Sequence, residues 1–329
     1  MSVNIIDEKE YNEADVYSRA PVVVFLYNRP EHTERMFKCL EQCEGIEYTD
    51  VFIFCDGAKE SACKQDVEKV RQIARDFQIT SKSKSVSVKI SDVNKGLANS
   101  VIEGVSTVIY EKKRVIVLED DILVDKSFLK YMNEALEFYS SCSDIWSITG
   151  YSFNLKSLDN YKHDIYYSYR GCSWGWATWL DRWKLVDWNV ASFNQERHSL
   201  RNILRFNRGG FDLYDMLVDQ MEGRIDSWAI RWCYSQSKMN MFTVYPKNAL
   251  VSNSGFDGTG THNVTTDRFV SNMKVDQRIK LEELCINKKI AREFRRKYDG
   301  GIVYYLLSKF EDNLRQHIKN YLRKLGLRG

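Results

Sequence analysis

Apolar and polar positions along the first half of this chain follow two periods in turn. Residues 22–27 form a short apolar run rich in β-branched side chains, which reads as a buried strand. Residues 31–43 read as a helix, 51–55 as a second strand and 63–77 as a polar helix. Residues 85–90 alternate as a third strand, and Asn94-Lys95-Gly96 opens a helix over 97–111. The run Val115-Ile116-Val117-Leu118 is a fourth strand, followed by a helix over 127–140 and a short strand near 146–149. Strands and helices alternating at this spacing predict an α/β fold, a doubly wound, mostly parallel sheet with helices on both faces.

Such sheets bind ligands beyond the carboxyl ends of their strands. That rim would carry Asn28-Arg29, Asp56-Gly57, Asn94-Lys95-Gly96 and the triplet Glu119-Asp120-Asp121. The triplet is the strongest chemical signal in the chain. Three consecutive carboxylates repel one another and resist desolvation, so a positive group should meet them. A hard divalent cation suits oxygen ligands, and a metal held by few carboxylates often shares a phosphate-bearing substrate. The alternative is a solvated acidic turn. No GxGxxG follows a strand and no GxxxxGK[ST] occurs, which disfavours dinucleotide and P-loop chemistry.

Composition adds little against this. The chain has 329 residues, 43% of them hydrophobic and 13% aromatic, with three prolines, enough for a large core and few linkers. Net charge is only +3, so no nucleic-acid partner is expected. Charge is uneven, however: residues 286–329 hold 12 Lys and Arg against 4 Asp and Glu. The eight cysteines never fall at CxxC spacing, which suits a reduced, cytoplasmic chain better than a disulfide framework or a zinc site. The acidic amino terminus does not read as a signal peptide, and no apolar stretch is long enough to span a bilayer.

The second half is aromatic. All eight tryptophans lie between Trp146 and Trp232. Aromatic faces can stack on the C–H faces of sugar rings, and an indole N–H can reach a hydroxyl. Trp179 and Trp183, four apart, read as core residues sharing a helix face. Trp174 and Trp176 flank Gly175, which would let backbone approach a ligand, so these three read as sugar-binding. Asp226 precedes an apparent helix over 228–236, either as its N-cap or as a general base. The glycine-rich loop over 253–262 could close over a phosphate or metal, with His262 as a candidate ligand.

In order and spacing, these pieces resemble the GT-A nucleotide-sugar glycosyltransferases, and within them the N-acetylglucosaminyltransferase I-like group. The resemblance is carried by Asn28-Arg29-Pro30 after a strand, Asp56 at a strand end, Glu119-Asp120-Asp121, a helix expected from Ile122 through Phe128, Ser173-Trp174-Gly175-Trp176 and Asp226-Ser227-Trp228. It spans residues of about 20 to 262, and implies a GT-A-like fold and an inverting transfer from a nucleotide sugar, UDP-linked, to a glycan or lipid-linked saccharide. Asp121 would bind Mn²⁺ or Mg²⁺ bridging the donor diphosphate, and Glu119 and Asp120 would hold metal-bound water and the ribose. Asp56 would contact the uracil, Arg29 the nucleotide or its phosphates, and Lys95 the donor from the same rim. Asp226 would be the base, and Trp174, Gly175, Trp176 and Trp228 would face the acceptor. Ile225 stands where the family often has an aromatic residue.

Two other classes remain open, a metal-dependent sugar nucleotidyltransferase and a non-catalytic carbohydrate-binding protein. The first usually needs a glycine-rich basic loop after the first strand, which Tyr27-Asn28-Arg29-Pro30-Glu31 lacks. The expected organisation is one glycosyltransferase domain over 1–275, with a donor half over 20–150 and an acceptor half over 151–275, then a helical tail over 276–329. In that tail Val303, Leu307, Phe310, Leu314, Ile318, Tyr321 and Leu325 make an apolar stripe beside Lys and Arg. It either packs on the protein or a second subunit, or lies on an anionic membrane surface, placing the chain peripherally on the inner face.

Overall fold

The computed structural model describes residues 19–60, 63–255, 273 and 278–299. Eight strands form one sheet in the order β3-β2-β1-β4-β8-β6-β9-β7. β1 (Val22–Leu26), β2 (Asp50–Cys55), β3 (Ser85–Ile90) and β4 (Arg114–Glu119) run parallel. The helices α1 (Pro30–Leu40), α2 (Lys64–Thr80) and α3 (Leu97–Lys112) connect them. All five residues of β1 are buried, which explains its unbroken apolar sequence: helices cover both faces of this strand. β3 is the sheet edge, where Ser and Lys side chains alternate with half-buried valines.

The expected α/β, mostly parallel sheet is present, with two antiparallel strands that periodicity did not reveal. β8 (Trp176–Trp179) inserts antiparallel between β4 and β6 (Ile145–Thr149). β9 (Phe242–Pro246) runs parallel to β6, and β7 (Ile165–Ser168) closes the edge antiparallel to β9. A strand antiparallel to both neighbours leaves β4 and β6 pointing the same way. The carboxyl ends of β1, β2, β3, β4, β6 and β9 therefore share one rim. Beyond it β5 (Ile122–Val124) pairs with β10 (Val251–Asn253) in a small antiparallel ribbon. Residues 122–124, expected to open a helix, are thus extended, and α4 (Phe128–Phe138) begins only after them. The remaining longer helices are α5 (Asp212–Met221), α6 (Trp228–Met239) and α7 (Lys288–Asp299).

Strand pleating sorts the core into two layers. Val22, Val24, Leu26, Ile116 and Leu118 face one layer with α1, α2 and α4. Val23, Phe25, Val115 and Val117 face the other with α3 and α6. That second layer is built around tryptophan. Trp176 is fully buried, with ring centroids 4.9 Å from Trp228, 5.4 Å from Trp232 and 6.1 Å from Trp183. Among the described residues, the indole N–H groups of Trp146, Trp176 and Trp232 have no hydrogen-bond partner. An unmet donor costs about 1–3 kcal/mol, while truncating a buried Trp costs about 3–5, so area burial outweighs the lost bonds. Trp179 and Trp183 are both buried, but they do not share a helix face. Trp179 ends β8 in the first layer, and Trp183 lies in a short helix under the second.

α7 belongs to this body. Ile290 and Phe294 are buried, with Phe294 edge-on to Tyr245 and Phe153. Glu293 accepts the N–H groups of Lys156 and Ser157, each at 2.8 Å. The apolar stripe over 303–325 and His262 lie outside the described residues. No helix among the described residues is long and apolar enough to cross a membrane.

Gly175 sits at φ +55°, and a Cβ there would lie 2.9 Å from Val251 and 3.1 Å from Phe128. Its role is close packing of β8 against the β5–β10 ribbon. Gly175→Ala should therefore cost about 1–3 kcal/mol in denaturant unfolding, from backbone strain and overpacking together. An unchanged midpoint would mean that the turn relaxes freely.

Candidate active site

The rim gathers the predicted acids because four parallel strands end on it. β4 delivers Glu119, Asp120 and Asp121 at its carboxyl end. β1 delivers Arg29 one turn beyond its own end, at the start of α1. Its Nη1 lies 2.9 Å from Asp121 Oδ2 and 3.7 Å from Asp120 Oδ1. One guanidinium thus faces three carboxylates. Burial, then the charges of Asp121 and Asp120, push Glu119 up to about 8. Burial and Asp121 likewise push Asp120 up to about 7, against the opposing pull of Arg29. Both are raised because desolvation and like charge act together.

Asp121 is enclosed from the far side by the strand that follows β9. Ser254 donates its N–H and its hydroxyl to the Asp121 carbonyl at 2.9 and 3.0 Å. A Cβ on Gly255 would lie 2.3 Å from Asp121 Oδ2. The start of the glycine-rich loop is therefore seated on the acids, as a cradle that any side chain would fill. His32, on α1, brings Nε2 to 3.4 Å from the Ser254 carbonyl. His32 was not anticipated from the sequence, whereas residues 253–255 begin the loop expected to close over a phosphate or metal. The spacing of His32 from Arg29, one helical turn, was the available signal.

Among the described residues, no three His, Cys, Asp or Glu side chains converge as a complete metal-binding set. The donor set is still chemically apt for Mn²⁺ or Mg²⁺. It consists of hard carboxylate oxygens, under-neutralised by a single cation, at an open strand end. Such ions accept one or two protein carboxylates and complete their shell with water and substrate phosphates. The residues fit a shared metal better than a dedicated protein cage.

Asp56 has a different geometry from a free base-reading carboxylate. Its Oδ1 accepts the N–H groups of Gly57 and Lys95, both at 2.9 Å. Its Oδ2 accepts the Gly96 N–H and the Asn94 side-chain amide, both at 3.1 Å. Four donors of its own chain occupy its acceptor positions, so Asp56 braces the 94–96 loop on the rim. The Lys95 ammonium turns away, onto Glu103 of α3, and does not face the acids.

Asp226 reaches this same loop. A Cβ at Gly96 would lie 3.0 Å from Asp226 Oδ2. The chain thus sets the candidate base beside a loop that Asp56 holds on the donor rim. Asp226 is not the helix cap: the Ser227 hydroxyl accepts the Ile230 N–H at 3.3 Å and caps α6. The Asp226 carboxylate is left 58% exposed.

The tryptophan assignments need correction. Trp176 and Trp228 are enclosed in the second core layer and present no face to a ligand. Their reason is topological, since β8 lies between two strands and beneath α6. Gly175 admits Phe128 and Val251, not a ligand. Trp174 is the half-buried member of the group, packed edge-on against Tyr151 at 4.5 Å.

No protein-family model matches this chain, and no curated protein matches its sequence. Solved structures similar to it in part include two glycosyltransferases. One is the mannosyltransferase PcManGT from Pyrobaculum calidifontis, in complex with GDP-Man and Mn²⁺. It is 10% identical over 68% of this chain and 71% of its own, with a TM-score of 0.36. The other is the galactosyltransferase LgtC, in complex with donor and acceptor sugar analogs. It is 11% identical over 65% of this chain and 69% of its own, with a TM-score of 0.31. The functional reading rests on the site's own chemistry.

The raised carboxylates carry a pH signature. Their folded-state pKa lies above the unfolded value, so the native chain holds protons that the unfolded chain has released. Stability contributed by these groups therefore falls as pH rises from the ordinary carboxylate range through about 8. In EDTA the melting temperature should drop across this window, and added Mn²⁺ should raise it more at its upper end than its lower end. An equal Mn²⁺ shift at both ends would detach metal binding from these acids.

Proposed function

We propose that this chain is a divalent-cation-dependent glycosyltransferase that moves a sugar from a nucleotide sugar to a hydroxyl of a glycan or lipid-linked saccharide. The observation that carries this reading is the acid cluster at the end of β4, under-neutralised by Arg29 and sharing its rim with Asp226. A pure carbohydrate-binding role draws less support. Its tryptophan argument weakens once Trp176 and Trp228 are core residues.

Asp121, with Asp120 beside it, would hold Mn²⁺ or Mg²⁺. When bound, the ion would neutralise charge on the departing diphosphate. Arg29 adds a fixed positive charge on the same side, suited to phosphate oxygens. Asp56 keeps the 94–96 loop in place, and so keeps the floor against which Asp226 sits. Asp226 Oδ2 would take the proton from the acceptor hydroxyl. The acceptor's hydroxyl oxygen would then form the new bond to the sugar's anomeric carbon as the bond to the diphosphate breaks. Attack opposite the leaving group inverts the anomeric centre. UDP is the nucleotide we favour, from the resemblance carried by the acid triplet.

A panel of nucleotide sugars, each with Mn²⁺ or EDTA, tests the reading by calorimetry and by release of nucleoside diphosphate. Asp121→Ala should lose Mn²⁺-dependent donor binding while melting as a folded protein. Retained affinity would sink the assignment.

Asp226→Asn should keep donor affinity and lose turnover by about 10²–10⁴-fold. Ser227→Ala should do the reverse, losing about 1 kcal/mol of stability and keeping its rate. If Asp226→Asn turns over normally, the base lies elsewhere.

A further inference from the structure

We propose that Arg231 is a positioning residue for Asp226, holding its carboxylate turned so that one oxygen faces the rim. The inference rests on the reading of Asp226 as base. Arg231 lies in the first turns of α6, and its side chain is 15% exposed where that of Asp226 is 58% exposed. Its Nε donates to the Ser227 carbonyl at 3.3 Å, and its Nη1 to the Trp188 carbonyl at 3.1 Å. Two bonds to separate backbone segments fix the guanidinium plane. They leave Nη2 at 4.0 Å from Asp226 Oδ1.

That distance is an ion-pair contact and longer than a hydrogen bond. The two carboxylate oxygens are thereby distinguished. Oδ1 faces the buried cation, and Oδ2 faces Gly96. The other charged groups on the surrounding elements are turned to partners. Arg224 pairs with Asp219 and Glu222, and Lys95 pairs with Glu103. Asp187 accepts the N–H groups of Asn189 and Ala191. Burial pushes the Arg231 guanidinium down from its ordinary value, and Asp226 opposes that shift. A largely buried cation pinned by backbone carbonyls is a fixed field source.

The test is kinetic, with turnover, donor affinity and melting temperature compared in wild type, Arg231→Gln and Arg231→Lys, and Asp226→Asn as the reference for a lost base. Arg231→Gln should lower kcat by roughly 5-fold, the size expected of one charge at ~4 Å in a solvated site, with donor affinity unchanged. Arg231→Lys should recover most of that loss. A kcat that ignores Arg231→Gln overturns the proposal, as does a Lys variant that melts like wild type but loses as much as Gln. If Asp226→Asn keeps its turnover, the base reading fails and takes this inference with it. If Asp226→Asn is dead while Arg231→Gln turns over normally, only this inference fails.

Discussion

Three carboxylates against one guanidinium is the constraint around which the rim is arranged. β4 is buried along both faces and ends in Glu119, Asp120 and Asp121, where solvent cannot fully screen them. Arg29 meets two of the three. Burial first, and the neighbouring acid charges second, leave Glu119 and Asp120 inclined to hold protons at neutral pH. A structural ion-pair network would close this gap with further basic side chains. Here the second cation is missing from the described protein groups, and a site of this kind is completed by what binds to it.

The rest of the rim serves to bring distant segments to those acids without adding charge. The β5–β10 ribbon carries Ser254 and Gly255 onto Asp121 through backbone bonds and the lack of a side chain. Asp56 satisfies four donors around the 94–96 loop, and Asp226 comes to rest beside that loop. A carboxylate used as a brace is held by short, charge-assisted bonds. A carboxylate kept for proton transfer stays open, as Asp226 does. The two acids have opposite surroundings on neighbouring sides of one loop.

The tryptophans make a parallel point about division of labour. Six of them pack in the layer beneath α6, from Trp146 to Trp232. Trp228 and Trp232, on α6 itself, join it to this layer and so seat the first turn of the helix. Asp226, Ser227 and Arg231 all ride on that turn. Aromatic bulk that looked like a sugar platform acts on the site from below, through the placement of a helix.

Read alone, the sequence determined the strands and helices of the first half, because burial on both faces leaves unbroken β-branched runs and amphipathic helices show at a period of 3.6. It also determined that Arg29, Asp56 and Glu119–Asp121 would share an edge, since parallel strands must end on one side. It did not determine β7 and β8, whose short runs match either period, nor the strand over 122–124, which needs β10 as partner. Only the tertiary structure decided which tryptophans are core, since strand facing depends on register. The same holds for the brace at Asp56, the cradle at Gly255 and the pairing of Arg231 with Asp226. Each joins groups through space across the rim, and such contacts leave no periodicity in the chain.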